Sequence, residues 1–158
     1  MADSLTVPKI LQAPTRVGTG TLAANVKVLA VRLGVAAGTE IEVDAGAPTV
    51  YQVFSIPAGV TVLNVLARII TGFTATLIMD IGDGDDPNGW LATAKLAPTV
   101  ADTAGIYKNP QLPTAEAYAG GKKYLAADTI DATIGTATPA VGLMEILLVY
   151  LDATQGTT

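Results

Sequence analysis

Met144-Glu145-Ile146-Leu147-Leu148-Val149-Tyr150-Leu151 is the stretch on which the fold turns. Met144, Ile146, Leu148 and Tyr150 share one face at a period of two, and Leu147, Val149 and Leu151 are apolar on the other. A strand places alternate side chains on opposite faces. Only a strand covered on both sides has use for apolar residues on both. The spacing therefore predicts a long last strand that is central and covered on both faces.

The same period recurs upstream. Glu40-Ile41-Glu42-Val43-Asp44 alternates strictly, and Thr49 to Ile56 is rich in Val, Tyr and Phe before the turn signal Pro57-Ala58-Gly59. From Val60 to Ile70 the phase Leu63, Val65, Ala67, Ile69 is expected inward, with Asn64 and Arg68 on the other face. Ala75, Leu77, Met79 and Ile81 form one face opposite Thr74, Thr76 and Asp80, and Ile130, Ala132 and Ile134 alternate with Thr129, Asp131 and Thr133. Residues 25–35 fit both periods: Leu22, Val26, Leu29 and Leu33 have helical spacing, while Val26, Val28, Val31 and Val35 favour a strand. The β-rich surroundings favour the strand. Ala94 to Gly121 has weak periodicity and three prolines, and reads as a long connection with a short strand inside it. About seven to nine strands without a long helix predict an all-β fold, an antiparallel β-sandwich with jelly-roll-like long connections.

Residues 1–24 differ from the rest. Pro8, Pro14, Gly18 and Gly20 interrupt Leu5, Val7, Ile10 and Leu11, which predicts an extended N-terminal arm whose apolar residues dock on a partner. The expected organisation is the arm at 1–24, the sandwich domain at 25–154 and a flexible tail at 155–158.

Composition narrows the function. Of the 158 residues, 15% are charged, against about 25% in an ordinary soluble domain. A monomer of this mass would expose roughly 7,400 Å², so much of its surface would be apolar or small and polar. Burial against copies of itself or a larger partner is the expected resolution. No apolar run approaches the ~20 residues that span a bilayer, and residues Met1 to Ser4 lack the basic start of a signal peptide. The net charge is −5 with nine Lys and Arg, so there is no basic footprint for nucleic acid or for an anionic membrane.

Catalytic chemistry is equally poorly provided for. There is no His and no Cys, and the two serines, Ser4 and Ser55, lie in no nucleophile elbow. Asp80, Asp83, Asp85 and Asp86 are near neighbours, but a glycosidase sets its two carboxyls on separate elements beside an aromatic cleft. We expect no enzyme, no catalytic residues and no cofactor. Met79-Asp80-Ile81-Gly82-Asp83-Gly84-Asp85-Asp86-Pro87-Asn88-Gly89-Trp90 is rich in oxygen ligands, and Asp83, Asp85 and Asp86 are candidate calcium ligands. The spacing is not that of an EF-hand, and a tight polar inter-strand loop is the competing reading. Trp90 either anchors a partner or closes one end of the sandwich. Gly120-Gly121-Lys122-Lys123 reads as a turn before a strand, not a phosphate loop.

The stretch Met79 to Leu91, the stretch Tyr124 to Gly135, and the segment Thr136 to Gly142 leading into a last apolar strand ending at Asp152 together resemble small virion proteins of tailed bacteriophages. They are similar to capsid decoration, or cement, proteins with jelly-roll folds, over residues of about 50 to 152. The resemblance implies a protein on the outer capsid surface that bridges subunits of the major capsid protein, as a homo-oligomer, trimer favoured over dimer. Leu5, Val7, Ile10, Leu11 and Trp90 are the expected partner contacts. Another head or tail subunit, or a carbohydrate-binding or adhesion module, would share the same fold.

Overall fold

The structure is a computed structural model that describes residues 9–10, 26–35, 39–43, 49–73, 77–102, 107–109, 116–135 and 139–151. In chain order these form β1 (Lys9–Ile10), β2 (Val26–Gly34), β3 (Ile41–Glu42), β4 (Thr49–Ile56), β5 (Thr61–Thr71), β6 (Met79–Gly82), a one-turn helix α1 (Thr93–Leu96), β7 (Lys122–Lys123), β8 (Asp128–Ile134) and β9 (Leu143–Leu151). One sheet has the order β1-β4-β8-β6, the other β3-β2-β9-β5-β7.

β9 lies at the centre of the five-stranded sheet, antiparallel to β2 and to β5. Its Met144, Ile146, Leu148 and Tyr150 are buried, while Leu147, Val149 and Leu151 are half-buried on the outer face. Val31 and Leu33 of β2, and Val65, Ala67 and Ile69 of β5, fill the same layer. Across it stand Tyr51, Val53, Phe54 and Ile56 of β4, Met79 and Ile81 of β6, and Ile130, Ala132 and Ile134 of β8. Apolar inner faces of two sheets thus make one core, the ordinary solution for half-apolar strands. From β4 to β9 each described strand lies in the opposite sheet to the one before it. That crossing back and forth is the jelly-roll-like trait, with connections that run from the short ones at 57–60 and 124–127 to the long one between β6 and β7.

Four details depart from the sequence expectation. The sandwich is mainly antiparallel, but β1 pairs parallel to β4 and β3 parallel to β2. The inward phase of β5 holds at Val65, Ala67 and Ile69 but not at Leu63. A register shift between Val62 and Asn64 puts Val62 in the core instead; an extra residue of this kind reverses which face the next side chain takes. A similar shift between Gln52 and Phe54 lets both Val53 and Phe54 be buried. The turn-before-strand reading of Gly120 to Lys123 also shifts: Lys122 and Lys123 are themselves the strand β7, and Gly121 ahead of them has φ 89°. Within the long connection Lys108 makes a single bridge to Ala67. Of the predicted arm, only Lys9 and Ile10 are among the described residues. The residues 1–8 and 11–25, with Leu5, Val7 and Leu11, lie outside them, as does the tail.

Candidate assembly surface

Asp83 follows β6, the edge of the four-stranded sheet, and Lys122 sits in β7, the edge of the five-stranded sheet. The Lys122 Nζ donates to Asp83 Oδ2 at 2.7 Å and to Asp85 Oδ2 at 2.8 Å. Tyr124 donates its hydroxyl to Asp83 Oδ2 at 2.6 Å, and Tyr118 donates to Oδ1 at 3.1 Å. The backbone N–H groups of Asp85 and Asp86 also donate to Oδ1. Lys122 lies over the rings of Tyr118 and Tyr124 at 4.5 and 4.9 Å, within cation–π range. Trp90 packs edge-on to Tyr118 at 5.3 Å between centroids. The result is a clip that ties the two sheets together along one side of the sandwich.

The loop is shaped to present that carboxylate. Ile81 and Leu91 bridge at its base, and Asp83 and Gly89 both donate their N–H to the Asp86 carbonyl. A side chain at Gly82 would bring its Cβ within 2.0 Å of that carbonyl oxygen, so the closure requires glycine. Asp83 is the one buried polar residue among those described. Burial pushes its carboxyl up, but the hydrogen bonds from Lys122, Tyr124 and the Asp86 backbone, with the lysine charge, outweigh this and hold it below the usual range. Burial pulls Lys122 down, and its bonds to Asp83, Asp85 and Tyr118 more than reverse that. Burial and Asp83 together push the Tyr124 hydroxyl up. All three groups are thereby held in the protonation states that the clip needs at neutral pH.

Each predicted residue can now be placed. One ligand oxygen from each of Asp83, Asp85 and Asp128 lies within 4.8 Å of the others. The Lys122 ammonium stands between Asp83 and Asp85, where a bridging cation would otherwise balance their charge. Asp86 belongs to the loop instead, accepting from the Asn88 N–H. Asp80 accepts from the Thr93 N–H at the start of α1. The four acids considered for hydrolysis are thus tied into a loop, a helix start or an ion pair. Trp90 is 0% exposed, which overturns its reading as a partner anchor: it fills the core beneath the clip, and its Nε1–H points at the Tyr124 hydroxyl at 3.4 Å. Sequence reasoning missed Lys122, Tyr118 and Tyr124. Their one signal was a lysine and two tyrosines clustered within seven positions.

The outer faces of the two sheets differ. On the four-stranded sheet, Gln52 pairs with Asp131, and Thr133 stands between Asp80 and Val50, a largely polar surface on which Val50 is exposed. Asp131 has a shielded Oδ1 without a hydrogen-bond partner, and burial pushes its carboxyl up. On the five-stranded sheet, Arg32, Glu145 and Arg68 stand in register across β2, β9 and β5. Arg32 Nε and Arg68 donate to Glu145 at 3.2 and 3.1 Å, and the Tyr107 hydroxyl donates to it as well. These contacts, Tyr107 first, hold Glu145 below the usual carboxylate range. Beyond this row the face is mainly apolar: Val26, Val28 and Ala30 of β2 are exposed beside Leu147 and Val149 of β9 and Leu66 of β5, with Asn64 of β5 opposite Val149. Val26 and Val28 are each 57% exposed.

No family model matches the chain, and no curated protein matches it in sequence. Solved structures do match in fold. A chain in the acidic stable capsid structure of Helicobacter pylori bacteriophage KHP30 aligns with a TM-score of 0.56 at 14% identity, over 82% of this chain and 89% of that one. A chain in the cyanophage Pam1 capsid asymmetric unit aligns with a TM-score of 0.52 at 17% identity, over 89% and 94%. A chain in the capsid of Ralstonia phage GP4 aligns with a TM-score of 0.45 at 16% identity, over 90% and 93%. What is shared at these identities is the sandwich itself.

Proposed function

We propose that this chain is a non-enzymatic structural protein of a phage virion, placed on the outer surface of the capsid. There it decorates and stabilises the shell by bridging subunits of the major capsid protein, as a homotrimer. The observation that carries this reading is the likeness, over most of both chains, to sandwiches found in two phage capsids. The surface supports it: a weakly charged exterior with an exposed apolar face suits a protein that is covered by other chains. The carboxylates are engaged in holding loops and sheets, which suits a load-bearing part better than a reactive one.

The mechanism is mechanical. Packaged genome presses the shell outward, and a protein that spans a seam between subunits raises the cost of opening it. Single contacts can be weak, because once one is made the next forms at high effective concentration. The test is to mix the purified protein with undecorated capsids and sediment them. Saturable binding at a fixed ratio to the shell protein, with capsids that resist higher temperature, is the expected result. Absence of binding, or immunogold label confined to tails, would overturn it.

A further inference from the structure

The two broad faces of the sandwich are not equivalent, and the difference says which of them is covered. On the five-stranded sheet the register sets Val28 beside Val149 and Leu147 beside Leu66, with Val26 and Leu151 in the next row. These are outward positions on three adjacent strands, so the apolar surface is continuous across β2, β9 and β5. The corresponding positions of the four-stranded sheet are Gln52, Asp131, Thr133 and Asp80, with Val50 alone among them apolar. A contiguous apolar patch on one face only marks a contact surface, whereas a single exposed valine is ordinary.

Charge divides the same way. Outside the clip, the strands of the five-stranded sheet carry Lys27, Arg32, Arg68 and Lys123 against Glu42 and Glu145. Cations stay in excess even when Glu40, whose carboxylate accepts the Arg32 N–H, is counted with them. The strands of the four-stranded sheet carry Asp80, Asp128 and Asp131 against Lys9. A chain of net charge −5 thus keeps one sheet cationic. Opposed potentials orient an encounter and set its rate, so the complement of this face is apolar with carboxylates around it.

Area decides between a second copy and a larger surface. At ~4.8 Å between strands and ~3.4 Å per residue, the three apolar rows cover roughly 250 Å². Two copies face to face would bury about 500 Å², half of the ~1,000 Å² that a stable interface needs, and would set cationic sheets against each other. On a shell the same small contact suffices, because the other contacts of the assembly hold it at high effective concentration.

We propose that the outer face of the five-stranded sheet, centred on Val28, Val149, Leu147 and Leu66, lies on the shell against apolar residues flanked by carboxylates, with the acidic four-stranded sheet turned outward. The inference rests on the proposed function and adds to it which face is down.

Val28 and Val50 are equally exposed, on opposite sheets, which makes a matched pair of substitutions. Val28→Glu, Val28→Lys and Val50→Glu are purified, checked by melting temperature and light scattering against the wild type, and sedimented with undecorated capsids. Val28→Glu should bind at least tenfold more weakly, and Val50→Glu like the wild type. Val28→Lys should bind better than Val28→Glu, with the gap narrowing as salt is added. Wild-type binding by Val28→Glu, or an equal loss in Val50→Glu, would overturn the inference while leaving the proposed function standing. So would a Val28→Glu protein that melts normally but falls apart from the wild-type oligomer, since the face would then lie between copies. If Val28→Glu does not fold, Val28→Lys carries the test, and its binding no better than a tenth of the wild type at low salt with Val50→Glu unaffected is the supporting result. A wild type that fails to sediment with capsids would sink both readings together.

Discussion

Lys122 and Asp83, separated by 39 residues in the chain and rooted in opposite sheets, are joined by a 2.7 Å ion pair in which the Asp83 side chain is wholly shielded from solvent. A buried pair of this kind gains little over a well-packed apolar pair, but breaking it is costly. The cost follows from what remains: an ammonium held among tyrosine rings, and two backbone N–H groups without their acceptor.

Asp83→Ala should therefore destabilise the fold by about 3–5 kcal/mol. For a domain of this size that lowers the melting temperature by about 10 °C. Asp85→Ala, which removes an exposed partner of the same lysine, should cost under about 1 kcal/mol. Calorimetry of the two variants checks both the size and the ratio. Equal losses would show that the clip does not depend on the buried carboxylate.

Acid should open the same clip. The Asp83 carboxyl titrates lower in the folded chain than in the unfolded one. Its contribution to stability is fully present above the unfolded value, near 3.9, and is lost as the pH falls through the folded one. Glu145, also held low, acts in the same sense. Melting temperature should fall below pH about 4 in the wild type, and less steeply in Asp83→Asn. Parallel curves for the two would contradict this.

Asp131 works in the opposite sense. Burial raises its carboxyl, helped by the charges of Asp128 and Asp83, and its Oδ1 has no partner. A group raised in the folded state costs stability above its folded value and stops costing as the pH falls below its unfolded one. Asp131→Asn removes that charge while keeping the side chain's shape. It should raise the melting temperature at pH 7, with the gain shrinking towards pH 4. A loss at neutral pH would mean that the carboxylate has a partner in the assembled protein.

The sandwich was legible because its signal is local. The alternation in β6, β8 and β9 survives intact, and every residue expected inward from Met144 to Tyr150 is buried. Leu63 was misplaced because a bulge adds one residue to a pattern whose period is two, and nothing at Val62 or Asn64 announces it. The clip was hidden for a different reason. An acidic loop and a lysine pair each have a plain local reading, and only the meeting of two sheet edges brings Asp83, Lys122, Tyr118 and Tyr124 together. Trp90 illustrates the limit of residue type as evidence: a lone tryptophan after a turn serves equally as anchor or plug, and the tyrosines that decide the matter lie 28 and 34 residues further along.

Removal of residues 1–20 should separate folding from assembly. In the described structure the arm contributes β1, two residues paired to Phe54 and Ser55 at the rim of a sheet. Loss of so short an edge strand should shift the melting temperature by only a few degrees, consistent with about 1 kcal/mol. Capsid occupancy should fall much further, because each lost contact lowers the effective concentration of the others. At least a tenfold weaker apparent affinity, about 1.4 kcal/mol per site, is expected in sedimentation with undecorated capsids. Unchanged occupancy would place the whole binding surface on the sandwich, with the arm no more than a trailing end.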